Sequence, residues 1–148
     1  MKITILNKQK VLKINSDKIK KQINIILQEE KIDTQEVILN FVNEKAVKDL
    51  HIKYFNDPTV TDCISFPIDS ASKKTNGYHI LGEAFICPKQ AVICSKRYKT
   101  TVYEELALYV IHCILHLIGY DDIKQIDRSL MRKKEKYYLS LFKRKKTI

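Results

Sequence analysis

The run His112-Cys113-Ile114-Leu115-His116-Leu117-Ile118-Gly119-Tyr120-Asp121-Asp122 constrains this chain most, because it sets two imidazoles four residues apart on an apolar helix and then stops that helix. Four helical residues advance about 6 Å and turn about 400°, so both rings leave one face within roughly 40° of each other and can share an ion. Gly119 suits the left-handed position that closes a helix, where a side chain is penalised. The chain can then turn back and offer Asp121 or Asp122 as a third ligand, leaving a fourth tetrahedral position for water. A plainer reading competes with this one. Asp122 and Gln125, three residues apart, resemble a capping box for a following helix, and the histidines would then be satisfied core residues. The apolar residues between the rings make a partly dry wall, which favours the ion.

At 148 residues with 45% hydrophobic content, residues 1–148 are expected to form one domain with its own core. The opening segment interrupts its apolar positions with lysines, so neither a signal peptide nor a membrane span is expected. Cys63, Cys87, Cys94 and Cys113 form no C-x-x-C pair, which fits neither a zinc ribbon nor a disulfide scaffold and points to a reducing, cytoplasmic location. The formal charge is +10, with basic residues crowding the C-terminal segment from Arg132 and a basic tail at about 143–148. Such a surface prefers polyanions. Positive charge beside a candidate metal water favours a phosphodiester over a peptide. A peptide-cleaving zinc helix would also carry glutamate directly after the first histidine, where this chain has Cys113. One residue of helix turns that thiol about 100° from the ligand face, so it reads as a small hydrophobe.

Periodicity predicts strands at Lys2–Asn7 and Val11–Ile14, then a helix opened by Ser16 or Asp17 and running to about Glu30 with Ile19, Ile23, Ile26 and Leu27 inward. A strand follows at Glu36–Val42, and Asn43 caps a helix reaching about Phe55. Thr61–Ile68 and Tyr78–Cys87 are strands joined by a polar, mobile loop at Asp69–Gly77. Pro88 starts a short helix, Thr101–Ile118 is the long helix carrying the histidines, and Ile123–Phe142 is a final amphipathic helix. The class is α+β: a single domain with a mixed sheet of about four strands flanked by helices and a metal site on a central helix.

These residues resemble the YbeY family of bacterial metal-dependent endoribonucleases, whose signature ends His-Gly-x-Leu-His-Leu-x-Gly-Tyr-Asp-His. Thr61-Asp62-Cys63-Ile64-Ser65-Phe66-Pro67 is similar to the family's Thr-Asp-Val-Leu-Ser-Phe-Pro strand, Leu81-Gly82-Glu83 to its Leu-Gly-Asp, and Met131 with Glu135 to its Met-x3-Glu helix. The resemblance implies a sheet flanked by helices, one zinc ion per chain, cleavage of single-stranded RNA, and work on ribosomal RNA processing, including maturation of the 16S 3′ end, and on ribosome quality control. It implies the small ribosomal subunit and its proteins as partners. His112 and His116 match the first two zinc ligands; the third is histidine in the family, and Asp122 occupies its position here.

Two departures bear on activity. A carboxylate oxygen can ligate zinc, but aspartate is shorter than histidine and its charge raises the pKa of a bound water, so the site is expected to hold zinc less tightly or to prefer a harder ion such as manganese. The family also places an arginine just after the tyrosine that precedes the Thr-Asp strand, and here Tyr54 is followed by Phe55. Arginine offers a planar fork to phosphate; phenylalanine offers a face for stacking a base, or a core aromatic. Lys53 and Arg97 are candidate replacement cations, and Lys53, Phe55 and Arg97 are the candidate RNA contacts. Glu83 and Asp62 are candidate proton-handling groups, or simply strand-end hydrogen-bond partners. The leading reading is therefore a zinc-dependent endoribonuclease with His112, His116 and Asp122 as catalytic metal ligands. A ribosome-associated RNA-binding factor that keeps the fold without catalysis is the alternative, and a metalloprotease comes third.

Overall fold

The computed structural model describes residues 1–73 and 76–148, so part of the expected 69–77 loop, Lys74 and Thr75, lies outside the described residues. Four strands, β1 (Lys2–Asn7), β2 (Glu36–Phe41), β3 (Cys63–Pro67) and β4 (Ile80–Ile86), form one sheet in the order β1-β2-β4-β3. β1 pairs parallel to β2 and β2 parallel to β4, whereas β3 runs antiparallel to β4 with Ser65 opposite Ala84. Five helices complete the chain: α1 (Ser16–Glu29), α2 (Glu44–Phe55), α3 (Pro88–Tyr98), α4 (Val102–Ile118) and α5 (Gln125–Arg144). The expected α+β domain with a four-stranded mixed sheet is the fold observed.

α4 is the hub. Ten of its residues are buried, including Leu106, Val110, Ile111, Ile114 and Leu115, and it packs on β3, β4, α1, α3 and α5. A helix apolar nearly all round belongs inside a fold rather than on its surface. Thr101 caps its first turn by accepting from Glu104 N, and Gly119, at φ +119°, closes its last. The approach of α4 to the sheet requires Gly82 on β4: a Cβ there would stand 2.5 Å from Leu117 Cδ2 and 2.7 Å from Phe66 O. Close packing at that point sets the height of the His112–His116 turn above β3 and β4.

Several boundaries differ from the sequence reading. Val11–Ile14 is not a strand, because the Gln9 side chain satisfies the backbone that a sheet would have paired: Oε1 accepts from Val11 N and Leu12 N, each at 3.0 Å, and Nε2 donates to Leu12 O at 2.8 Å. α1 is capped by Asn15, one residue before the expected pair, with Oδ1 accepting from Lys18 N. α5 starts at Gln125 and its N-cap is Lys124, with no side-chain cap bond, so Asp122 does not form the capping box its spacing resembles. The basic tail is seated against the fold. Helix α5 extends to Arg144, and Thr147 is buried, its carbonyl accepting from Gln22 Nε2 at 2.7 Å.

Candidate metal centre

His112 and His116 leave the last two turns of α4 on one face, with Nε2 atoms 3.0 Å apart. The turn after Gly119 brings Asp122 back over them, its Oδ2 3.5 Å from each Nε2. Asp121 is occupied elsewhere: its Oδ1 accepts from Asp122 N at 2.7 Å and holds the turn in shape. Asp122 is thus the carboxylate facing the rings, and the three residues form a group able to hold a metal ion. Ligand atoms at about 2.0–2.1 Å in a tetrahedron stand about 3.3–3.4 Å apart, close to the three separations found here.

The outer ring nitrogens explain why the inner ones converge. His112 Nδ1 lies 2.8 Å from Glu135 Oε1 on α5, and His116 Nδ1 lies 3.0 Å from the carbonyl oxygen of Tyr120. An ionised carboxylate and a carbonyl can only accept, so both Nδ1 atoms carry the hydrogen and both Nε2 lone pairs point inward. Two lone pairs 3.0 Å apart with a carboxylate beside them repel one another until a cation or a proton sits among them. That repulsion is the test the donor set passes. Two neutral imidazoles and one carboxylate, each ring fixed by a hydrogen-bond acceptor, fit a divalent ion.

Burial opposes a charge on His112, but the hydrogen bond to Glu135 and the nearby negative groups, Glu135 and Asp62 among them, outweigh it and raise its pKa. Glu135 is itself 5% exposed and receives further support from Arg132, whose Nη1 lies 3.8 Å from Oε2.

A cavity of about 310 Å³ opens beside the two histidines and is lined by His51, Phe55, Cys63, Ile64, Ser65, Pro67, His112 and His116. Phe55, exposed and stacked on Phe66 at a centroid distance of 6.4 Å, lines the cavity rather than the core. Lys53 does not line it; its Nζ sits 5.3 Å over the Tyr54 ring. Arg97, in the last turn of α3, does not line it either. Glu83 accepts from Asn40 Nδ2 at 2.9 Å across the sheet and stands outside the cavity. Cys113 is fully buried, as expected of a small hydrophobe, and its thiol, followed by burial, pushes the Cys63 thiol far above its ordinary pKa.

Two titratable cavity residues are not singled out by the sequence. His51 sits on α2 with no motif around it, and Cys63 was read as one position of a strand. Glu135 had been matched to a helix pattern without a role; a glutamate at a position spaced to be buried beside Met131 and Tyr138 is the signal that it needs a partner inside.

A larger cavity, about 400 Å³, lies between α1 and the start of α4 and includes none of these residues. The chemistry follows the convergent donors and not the larger volume.

The profile of a family described as Endoribonuclease YbeY matches residues 4–143. The chain is 39% identical over 148 residues to an Endoribonuclease YbeY of Chlamydia felis, spanning 98% of this chain and 93% of that protein. It is 37% identical over 142 residues to one of Protochlamydia amoebophila, with 96% and 93% covered. Its backbone is similar to the solution structure of a Thermotoga maritima protein, with TM-score 0.64, 27% identity, and 93% and 87% of the two chains covered.

Proposed function

The chain belongs to the endoribonuclease YbeY family, and from that premise we propose that it is a zinc-dependent endoribonuclease that cuts single-stranded RNA in ribosomal RNA processing, with His112, His116 and Asp122 holding the ion. Maturation of the 16S 3′ end, ribosome quality control, contact with the small subunit and a cytoplasmic location belong to the same proposal. The observation that carries it is the convergence of two imidazole Nε2 atoms and one carboxylate oxygen beside a cavity large enough for a nucleotide. When bound there, zinc supplies Lewis acidity to the phosphodiester and a water acidic enough to lose its proton near neutral pH.

The chain's own residues supply the rest. Glu135 and the Tyr120 carbonyl keep the rings in the ligating tautomer. Phe55 presents a face against which a base can stack, holding the strand across the cavity. A net charge of +10 gathers the polyanion and orders nothing by itself. No helix of the described residues is long and apolar enough to cross a membrane.

Metal content of the untagged protein, measured by plasma mass spectrometry for wild type and Asp122→Ala, tests the reading together with a chelator-and-restoration assay on single-stranded RNA. About one zinc per wild-type chain, lost on substitution, with cleavage that stops on chelation and returns with zinc, is the expected result. Cleavage that survives alanine at both His112 and His116 overturns it. Phe55 in the place of the family's arginine favours a second reading, a ribosome-associated RNA-binding factor without catalysis, which predicts salt-sensitive RNA binding and no chelator-sensitive cleavage.

A further inference from the structure

Phosphodiester cleavage leaves an alkoxide that must be protonated, and the cavity offers few groups able to do it. Of the described residues lining it, only His51, His112 and His116 can carry a positive charge, and the last two face Asp122 with both Nε2 atoms engaged. Neither Lys53 nor Arg97 lines the cavity. Phe55 stands where the family resemblance places arginine, and no arginine lines the cavity among the described residues.

His51 lies on α2 across the same cavity. Its Nδ1 is 2.9 Å from the Thr59 carbonyl oxygen, an acceptor only, so Nδ1 carries a hydrogen and Nε2 is the exchanging nitrogen. Asp57 Oδ2 stands 4.0 Å from that Nε2, and the His51 side chain is 18% exposed, enclosed but not sealed. The ring packs on Phe55 at a centroid distance of 5.5 Å, which sets its tilt. Hydrogen bonds from the Thr59 backbone and hydroxyl fix the Asp57 carboxylate beside the ring and hold its pKa below the usual range. The other titratable groups around the cavity are His112, His116 and Cys63, with Asp122 behind the rings. A ring on the cavity wall, oriented through one nitrogen and with a carboxylate beside the other, is the arrangement a general acid needs.

We propose that His51 is a further catalytic residue of this chain, the proton donor to the ribose oxygen that leaves phosphorus; this rests on the endoribonuclease reading and adds to it. An oxygen nucleophile forms its bond to phosphorus while the bond to the leaving ribose oxygen breaks. The Nε2 proton passes to that leaving oxygen. The neutral imidazole then regains a proton from solvent, and the nucleophile's own proton goes to solvent, so charge and atoms balance.

The test compares wild type, His51→Asn and Asp57→Asn on one oligoribonucleotide in two forms. One has the ordinary linkage at the cleaved position; the other has sulfur in place of the leaving oxygen, which departs without a proton. With the ordinary linkage, His51→Asn should lose about 10²–10⁴-fold in kcat, the usual weight of a general acid, with KM changed by less than about threefold. With the sulfur linkage it should come within about tenfold of wild type. Asp57→Asn, which leaves the ring in place, should show a smaller loss confined to the ordinary linkage. Metal content by mass spectrometry should not change in either variant, separating proton donation from loss of the ion. Equal losses on both linkages, or none on either, overturn the role of His51 while leaving the endoribonuclease reading intact. A wild type that cuts neither form with zinc or manganese present overturns both.

Discussion

At the scale of single residues, Glu135 and Asp122 control the site by different means. Glu135 Oε1 fixes the His112 tautomer through a 2.8 Å hydrogen bond, and removing such an outer partner commonly costs 10–100-fold in metal affinity. Glu135→Ala should therefore weaken zinc binding by about that factor, whereas Glu135→Gln, which still offers an oxygen, should lose less than about tenfold. A competition titration against a zinc-binding dye reads both; equal affinities in all three proteins would mean that Glu135 does not support the ion. Asp122→His should tighten zinc and weaken manganese, since a neutral nitrogen donor replaces a hard anionic oxygen. The histidine pair and the glycine were legible in the sequence because both are local, fixed by helical spacing. The partners of His112 and the presence of His51 were not, since 23 residues separate His112 from Glu135 and only tertiary packing brings α2 to the same cavity.

At the scale of elements, the site depends on a knot of hydrogen bonds that joins α1, the turn after α4 and α5. Glu30, the residue closing α1, accepts from Tyr120 OH at 2.8 Å, from Lys134 Nζ at 2.8 Å and from Tyr138 OH at 2.5 Å. Tyr120 also gives its carbonyl to His116, so one residue links the knot to the metal face. Burial alone would raise the Glu30 pKa; the bonds from Lys134, Tyr138 and Tyr120 overcome it, and the net shift is downward from 4.5. A carboxylate whose folded pKa is depressed contributes stability that is present above its unfolded value and is lost as pH falls through the folded one. Wild type should therefore melt above Glu30→Gln at pH 6, and the gap should close as pH falls below about 4.5 toward 3. Melting curves at half-unit pH steps check this, and a gap that widens with acid would contradict it. Most helices and strands were legible because each has its own periodicity and cap. Val11–Ile14 misled because its β-branched pattern is short and a glutamine side chain, not a neighbouring strand, answers its backbone.

At the scale of the whole molecule, the charge of +10 has to be reconciled with a site whose nearest groups are acidic. Asp122 faces the histidines, Glu135 bonds to His112 and Asp62 acts on His112 through its charge, so the attraction of RNA is expected to come from outside the cavity. Arg128 and Arg132 sit on the outer face of α5, one to three turns after Asp122, and Arg132 is 73% exposed at its side chain. Lys18, by contrast, lies beside Tyr103 at the far end of α4, and the 13 residues from there to His116 span about 20 Å of helix. Single-stranded RNA affinity should fall linearly in log–log form with salt, by about 0.7 for each phosphate neutralised. Arg128→Ala should reduce that slope by about 0.7, while Lys18→Ala should leave it unchanged. Fluorescence anisotropy with a labelled oligonucleotide, in the absence of divalent ions so that nothing is cut, separates the two. If both substitutions lower the slope equally, RNA is held by the diffuse field of the whole protein; if only the α5 arginine does, the strand follows α5 toward the loop that carries Asp122.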